Sequence, residues 1–249
     1  MKTTWQIWIE QHFGAVITFG ILTGLLIPGL TQIPVVAVPI MLAFILYLAC
    51  FKLSFDEFKQ LSPLHFVWFL SLRFLGLPAV LYFIALYFLP AYAIAVLLFS
   101  LMPIATGAPG IISVLKGNVT QAFSLVLIST LLAPFIIPGA FSVLADTSLI
   151  VNTWALFQTL GLIVFMPMGA FFMTRQSPAI QNQVHRHSAW LTTLLLAAVA
   201  MIAIASSREL LFSSPYTVAM SFVILMVLLA IYYLFGWFVG RKCDAQEKN

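Results

Sequence analysis

The stretch Met102-Pro-Ile-Ala-Thr-Gly-Ala-Pro-Gly110 interrupts an otherwise continuous apolar segment, Tyr92–Leu115. Proline removes a backbone hydrogen-bond donor and clashes with the preceding turn, and glycine weakens a helix interior. Two prolines and two glycines fall within eight residues of this stretch, so we expect the helix to unwind here and to restart. A plain proline kink that serves packing is the alternative interpretation.

The composition around this stretch is that of a membrane protein. Of 249 residues, 63% are hydrophobic and 7% are charged, whereas a soluble domain is about 45–50% apolar and about 25% charged. These values exclude soluble enzymes, nucleic-acid binders and disordered chains, and the net charge of +4 includes no basic run longer than Arg241-Lys242. We therefore predict an integral membrane protein that is surrounded by the lipid bilayer and binds no nucleic acid.

Apolar segments long enough to cross a bilayer recur along the whole chain, which predicts a single membrane domain over residues 1–249. A transmembrane helix needs about 20 apolar residues, and continuous apolarity without strict alternation excludes a β-barrel. The fold class is therefore predicted to be all-α, with about eight transmembrane helices and a broken fourth helix. The predicted spans are Phe13–Leu30, Val35–Phe51, Leu64–Leu89, Tyr92–Leu115, Val119–Leu144, Thr153–Thr174, Trp190–Ser206 and Tyr216–Val239.

Positive charge predicts the orientation of these spans, because cytoplasmic loops are enriched in Lys and Arg. With the N-terminus in the cytoplasm, nine basic residues fall inside and Arg208 alone falls outside. Those nine residues are Lys2, Lys52, Lys59, Lys116, Arg175, Arg186, Arg241, Lys242 and Lys248. We predict a multi-pass protein of the cell (inner) membrane with both termini in the cytoplasm.

Arg73 is the one charged residue that lies deep within a predicted span. Counted from Leu64 at about 1.5 Å per residue, it lies roughly 14 Å along the helix, near the middle of a hydrocarbon core about 30 Å thick. A charge there costs from about 2.5 to more than 10 kcal/mol. Since no span supplies a carboxylate, we expect its partners to be backbone carbonyls, amides, hydroxyls, water or a mobile anion. Snorkelling of the side chain to the inner interface is the alternative.

Arg73 and the interrupted helix lie at similar depths, which predicts that they form one site. Measured back from Lys116, Thr106 to Pro109 lie roughly 10–15 Å from the inner face. A restarted half-helix offers free N–H groups and a positive dipole end to an anion, while unwound carbonyls can hold a cation, so we predict a binding site for an anion here. The predicted binding residues are Arg73, Thr106, Gly107, Ala108, Pro109 and Gly110. The helix break is assigned to Pro103, Thr106, Gly107, Pro109 and Gly110.

Other polar features receive structural interpretations. The segment Arg175–Ser188 is expected to be a polar interior loop, and its His185 and His187 lack the Cys, Asp or Glu neighbours of a metal site. Ser129 and Thr130 are expected to hydrogen-bond back to their own helix. No span contributes a pair of acid–base groups, so we predict no enzyme activity, no metal and no cofactor.

The run Pro103–Asn118, followed by Ser129-Thr-Leu-Leu-Ala-Pro134, resembles the bile acid/sodium symporter family. In that family a Pro-Gly-Gly-Thr-Ala-Ser-Asn stretch begins the broken fourth helix, and the next helix carries Ser-Thr-Leu-x-x-Pro. The resemblance implies two inverted repeats of five helices, which move organic anions together with sodium by an elevator-like motion of a core domain against a panel. The matching positions are Pro103, Thr106, Gly117, Asn118, Ser129, Thr130, Leu131 and Pro134.

The chain departs from the family's pattern in two respects. It ends where the family would enter its ninth helix, so we expect an incomplete inverted-repeat fold of 5+3 helices. The sodium ligands implied by the resemblance are also replaced. The family's Ser-Asn pair at the break is Ala108-Pro109 here. Its Ser and Thr of helix five are Ala122 and Val126, and its glutamine of helix three is Arg73, whose fixed guanidinium would take the place of a mobile sodium ion.

These features predict a membrane transporter, or a transporter subunit, for small organic anions that is not sodium-coupled in the family's usual way. A homo-oligomer, or a second chain, is expected to cover the flank left by the missing helices. Two alternatives stay open: a non-transporting membrane scaffold or receptor partner derived from a transporter, and an inactive truncated product.

Overall fold

The computed structural model describes residues 3–34, 36–51, 63–105, 112, 119–144 and 153–247. The regular elements in these ranges are helical. The α-helices are α1 (Thr4–Gln11), α2 (Phe13–Leu26), α3 (Ala37–Cys50), α4 (Pro63–Ser71), α5 (Leu77–Phe88), α6 (Ala93–Leu101), α7 (Val119–Leu144), α8 (Thr153–Thr174), α9 (Pro178–Ser206), α10 (Arg208–Ser213) and α11 (Pro215–Glu247). Short 3₁₀ segments cover Pro28–Gln32 and Pro90–Tyr92, and a π-helical turn covers Leu72–Gly76.

Five helical stretches in the described ranges are long and apolar enough to cross a bilayer. They are Val67–Phe88, Ser124–Leu144, Thr153–Thr174, Pro178–Ser206 and Pro215–Val239. The pair α1 and α2, bent by 83°, adds a sixth span if it is counted as one, and Ala37–Cys50 and Pro90–Leu101 are shorter apolar helices. The predicted all-α integral membrane fold is thereby confirmed, while the number of eight spans stays a prediction.

The polar segment before the seventh predicted span is largely helical, and the expectation of a loop over Arg175–Ser188 was wrong. α9 begins at Pro178, directly after Ser177, whose backbone is extended. Proline is favoured in the first turn of a helix because its missing N–H would have no helical partner there. The 29 residues of α9 extend about 44 Å, which exceeds the thickness of the hydrocarbon core, so the helix is long enough for its polar first turns to lie outside it.

One packed group of helices is centred on α6. Three of its side chains, Val96, Leu97 and Leu101, are almost completely buried. Their cluster includes Leu81, Tyr82 and Ala85 of α5, four residues of α7, and Leu228 of α11. Because α5, α7 and α11 all pack on α6, the C-terminal end of α6 lies inside this group of helices.

A second group packs α2, α3, α8 and α9 together, and α7 joins the two groups by packing against α8. Gly20 and Gly24 of α2 lie directly on the backbone of α9. A Cβ atom on Gly20 would lie 2.5 Å from the carbonyl oxygen of Ala197, and one on Gly24 would collide with the carbonyl of Met201. Small residues four apart allow membrane helices to approach closely, and van der Waals packing of this kind holds helices together in lipid.

Candidate functional site

Arg73 is presented by an irregular turn in the third predicted span. Between α4 and α5, residues Leu72–Gly76 form a π-helical turn in which the N–H of Leu77 bonds the carbonyl of Leu72, five residues earlier. Pro78 follows and has no N–H to donate to the preceding turn. Single π-helical turns are frequent at functional sites, and here the turn carries the guanidinium to the end of α6.

α6 ends at Leu101, inside the segment that was predicted to be interrupted. Met102 has an extended backbone with a ψ of 139°, and residues 102–105 are not helical. Pro103 has no N–H with which to continue the α-helical ladder. The last carbonyl groups of a helix have no partner within it, and at membrane depth they need one from elsewhere.

The guanidinium of Arg73 donates hydrogen bonds to carbonyl oxygens at the C-terminal end of α6. Nη1 donates a hydrogen bond to the carbonyl oxygen of Ser100 over 2.6 Å, and Nη2 donates to that of Met102 over 3.2 Å. The planar fork of a guanidinium suits two neighbouring acceptors, and a cation is favoured at the negative C-terminal end of a helix. The side chain therefore turns toward the end of α6 and caps it.

Tyr232 of α11 joins the same contact. Its hydroxyl donates to the carbonyl oxygen of Ser100 over 3.1 Å. Its ring centroid lies 4.1 Å from Cζ of Arg73, and the ring of Phe74 lies 5.3 Å from the same atom. The face of an aromatic ring attracts a cation by about 0.5–2 kcal/mol. The carbonyl oxygen of Ser100 thus accepts two hydrogen bonds, and two rings border the guanidinium.

α7 holds the chain just after the end of α6. Ser129 is completely buried, and its Oγ accepts a hydrogen bond from the N–H of Ile104 over 3.1 Å. The same hydroxyl donates to the carbonyl oxygen of Val126, as does the hydroxyl of Thr130. The expected bonding of Ser129 and Thr130 to their own helix is confirmed, and the contact with Ile104 is an additional role.

The charge of Arg73 is surrounded by dipoles and rings. Within the described ranges its contacts are carbonyl oxygens and aromatic rings, and it forms no ion pair there. Two of its five N–H groups donate to the end of α6. The carbonyl oxygens and the helix dipole offset part of the charge of Arg73.

The hydroxyl of Ser100 is a polar group without a partner in the described part of the chain. Its Oγ is completely buried and has no hydrogen bond there. Leaving a buried polar group unsatisfied costs about 1–3 kcal/mol. Such groups in native proteins are commonly explained by a water, an ion or a functional role.

The predicted binding residues and helix-break residues are only partly covered by the described ranges. Arg73 and Pro103 are described, and Pro103 lies in the non-helical segment 102–105, next to the two carbonyls that Arg73 binds. The roles of the remaining residues stay predictions, because they lie outside the described residues. These are Thr106, Gly107, Ala108, Pro109 and Gly110.

Ala122 and Val126 mark the positions in α7 where the resemblance implies sodium ligands. Both side chains are buried, and neither carries an oxygen atom. The carbonyl oxygen of Val126 already accepts hydrogen bonds from Ser129 and Thr130. Since sodium requires oxygen ligands, as hard cations do in general, these two side chains cannot hold it.

Sequence reasoning did not identify Tyr232 or Ser100 as parts of this site. The two residues are 132 positions apart in the chain, and α11 is apolar on all sides, so its pattern does not show which face is buried. The available signal was the adjacent pair Tyr232-Tyr233 in a mostly apolar span. A single sequence does not reveal which tyrosine of such a pair faces inward.

The histidines of α9 show no sign of metal binding. In the ranges that the structure covers, no group of three or more His, Cys, Asp and Glu side chains lies together. His187 accepts a hydrogen bond from Nε1 of Trp190 over 3.2 Å, and its Nδ1 lies 3.5 Å from Nε2 of Gln6. The absence of a metal and of a cofactor stays a prediction.

A multi-pass helical membrane protein in which one helix ends next to a proline and beside a partly buried arginine is compatible with the broken helices of secondary transporters. The chain belongs to the Sodium Bile acid symporter family, whose model matches residues 39–214. This membership points to a membrane transporter of the bile acid or organic anion type and away from an enzyme.

The chain is also similar to the "Uncharacterized protein YbaS" of Bacillus subtilis (strain 168), with 26% identity over 156 residues. The match covers 59% of this chain and 49% of that protein, so the chain spans about half the length of the curated relative it matches. This similarity by itself assigns no activity, substrate or partner to the chain.

Proposed function

We propose that this protein transports small organic anions across the cell (inner) membrane without sodium coupling of the family's usual kind. The observation that carries the proposal is the guanidinium of Arg73, which donates to the carbonyl oxygens of Ser100 and Met102 at the end of α6. In this proposal both termini of the protein lie in the cytoplasm.

The positive charge of the proposed site belongs to the protein itself. A transported sodium ion arrives and leaves with the substrate, whereas a covalently attached guanidinium stays in place throughout the cycle. The end of α6 is a site for positive charge because its carbonyl oxygens and the helix dipole are directed there. With Arg73 bound to these oxygens, and with Ala122 and Val126 carrying no side-chain oxygen, the described residues at these positions offer a separate sodium ion fewer ligands than the family's pattern implies.

Arg73 and Ser100 offer hydrogen-bond donors to an anion. Three N–H groups of Arg73 are not used at the end of α6, and the completely buried hydroxyl of Ser100 is also unpartnered in the described part of the chain. A guanidinium binds carboxylates and other oxyanions by charge-assisted hydrogen bonds. In a low-dielectric surrounding its charge attracts an anion more strongly than in water. We propose that the substrate anion binds between Arg73 and the segment 106–110.

Uptake into proteoliposomes tests this proposal. Purified protein is given radiolabelled organic anions, including a bile acid, with external sodium replaced by potassium or choline. We expect uptake rates to agree within about twofold among the three cations, because the site carries its own positive charge. In the variant Arg73→Gln we expect a loss of about tenfold or more, since two charge-assisted hydrogen bonds of about 1.5–3 kcal/mol each are removed.

Arg175→Gln is the matched control, because Arg175 is an exposed residue at the end of α8 and the substitution removes the same charge. A steep sodium requirement in the parent protein that Arg73→Ala abolishes would contradict the proposal. Equal uptake by Arg73→Gln and Arg175→Gln would do so as well.

The replaced sodium ligands are also compatible with a non-transporting membrane scaffold or receptor partner. That function, or an inactive product, predicts binding at most, with no accumulation of any tested anion in sealed vesicles. The expectation of a second copy or a second chain stays a prediction. Native mass spectrometry in mild detergent measures it directly.

A further inference from the structure

We infer that Tyr232 is a positioning residue that orients the guanidinium of Arg73 and couples α11 to the end of α6. The inference rests on the proposed function, in which Arg73 is the fixed cation of the site. Tyr232 lies on α11, a different span from the one that carries Arg73 and from the one that contains the predicted break.

The packing of α11 singles out Tyr232. Hardly any of the apolar window of α11 is buried, but Leu228 is only 5% exposed and lies one helical turn before Tyr232 on the same face. Both residues pack against the core around α6. Tyr233, the next residue, points away and is 75% exposed. The face of α11 that touches the protein is therefore the face that carries Tyr232 to the break.

The two contacts of Tyr232 restrict Arg73 in different ways. The ring, 4.1 Å from Cζ, covers one face of the guanidinium and limits rotation of its plane. The hydroxyl occupies the second acceptor position on the carbonyl oxygen of Ser100, to which Nη1 also donates. A long arginine side chain has several rotatable bonds, so a neighbour that restricts it lowers the entropy lost when it binds two fixed carbonyls.

Chemical rescue with free guanidinium tests the inference by thermal unfolding of the purified protein in detergent. The variant Arg73→Ala vacates the place of the side chain, and guanidinium chloride at about 50 mM is offered to fill it, with urea as the uncharged control. At about ten times its dissociation constant, a ligand raises the Tm of a protein of this size by about 3–6 °C. We expect such a rise with guanidinium and none with urea.

The side chain at position 232 should then determine how far guanidinium raises the Tm. In Arg73→Ala combined with Tyr232→Leu, we expect the guanidinium-induced rise in Tm to fall to about one third or less, because the ring that orients the ion is gone. Tyr232→Phe keeps the ring and should retain most of the rise. The matched control Tyr233→Leu should retain all of it. A rise that is equal in the Tyr232→Leu and Tyr233→Leu backgrounds overturns the inference, since a general stabilising effect of guanidinium would not depend on this ring.

If Arg73→Ala does not yield folded protein, a double-mutant cycle of Arg73→Lys and Tyr232→Leu replaces the rescue. The inference expects Tm changes that are not additive, and strictly additive changes overturn it. Both measurements report on contacts and need no transport. Absence of anion uptake would therefore refute the proposed function, while loss of coupling between the two residues would refute this inference.

Discussion

A methyl group added at Gly20 tests the close approach of α2 and α9. The new Cβ atom would lie 2.5 Å from the carbonyl oxygen of Ala197, whereas real Cβ atoms hardly ever approach a heavy atom within 3.0 Å. Because the obstacle is helix backbone and not a flexible side chain, the two helices must move apart by at least about 0.5 Å. A gap of this size removes about a quarter of the dispersion energy of the contacts along the interface.

The expected change in the free energy of unfolding of Gly20→Ala is the difference between two opposing contributions. Forcing extra atoms into a packed interface costs about 1–3 kcal/mol, while replacing glycine by alanine inside a helix favours the helix by up to about 1 kcal/mol. Gly14→Ala on the same helix is the matched control, because a Cβ atom there meets nothing within 4 Å. We expect Gly20→Ala to lower the Tm in lipid nanodiscs by about 2–12 °C relative to Gly14→Ala.

The double variant Gly20→Ala/Gly24→Ala sharpens the test. Gly24 meets the carbonyl of Met201 in the same way, one turn further along α2. A single displacement of the helices relieves both collisions, so the double variant should be less destabilised than the sum of the two single variants. If Gly20→Ala unfolds at the same temperature as Gly14→Ala, the helices are not in backbone contact at this point, and the reasoning fails.

Two further predictions concern the break and the orientation. Ser129→Ala leaves the N–H of Ile104 without its acceptor, at a cost of about 1–3 kcal/mol. The Tm of this variant should therefore fall by several degrees more than that of Thr130→Ala, because the hydroxyl of Thr130 bonds only its own helix in the described contacts. Equal shifts in Tm would show that the contact with Ile104 contributes nothing. In a cysteine-free background, a cysteine at Glu209 should react with a membrane-impermeant maleimide added to intact cells, whereas one at Arg175 should react only after permeabilisation. The reverse labelling pattern would invert the proposed topology.

Part of the candidate site could be predicted because its causes are local. Proline acts on the helical ladder within one turn, so the end of α6 at Leu101 follows from Pro103 and its neighbours. The depth of Arg73 stays a prediction, which comes from counting residues along a helix of known rise. Its need for a partner follows from the cost of charge in hydrocarbon.

The choice among partners could not be predicted in this way. The sequence offered carbonyls, hydroxyls, water or an anion for Arg73 without ranking them, and the contacts with Ser100 and Met102 depend on how α5 packs beside α6. The start of α9 at Pro178 was missed for a related reason. Polar composition was interpreted as a loop, although a polar helix outside the hydrocarbon is equally compatible with it.

By itself, the amino-acid sequence determined the lipid surroundings of this protein, its helical class and the end of α6 just before Pro103. These properties depend on composition and on neighbours within a turn or two of one helix. Tertiary structure alone decided that Tyr232 and not Tyr233 meets Arg73, that Ser129 holds Ile104, and that Gly20 lies on Ala197. Such pairs join residues far apart in the chain, and they depend on the relative rotation of whole helices, which an evenly apolar span does not encode in its own pattern.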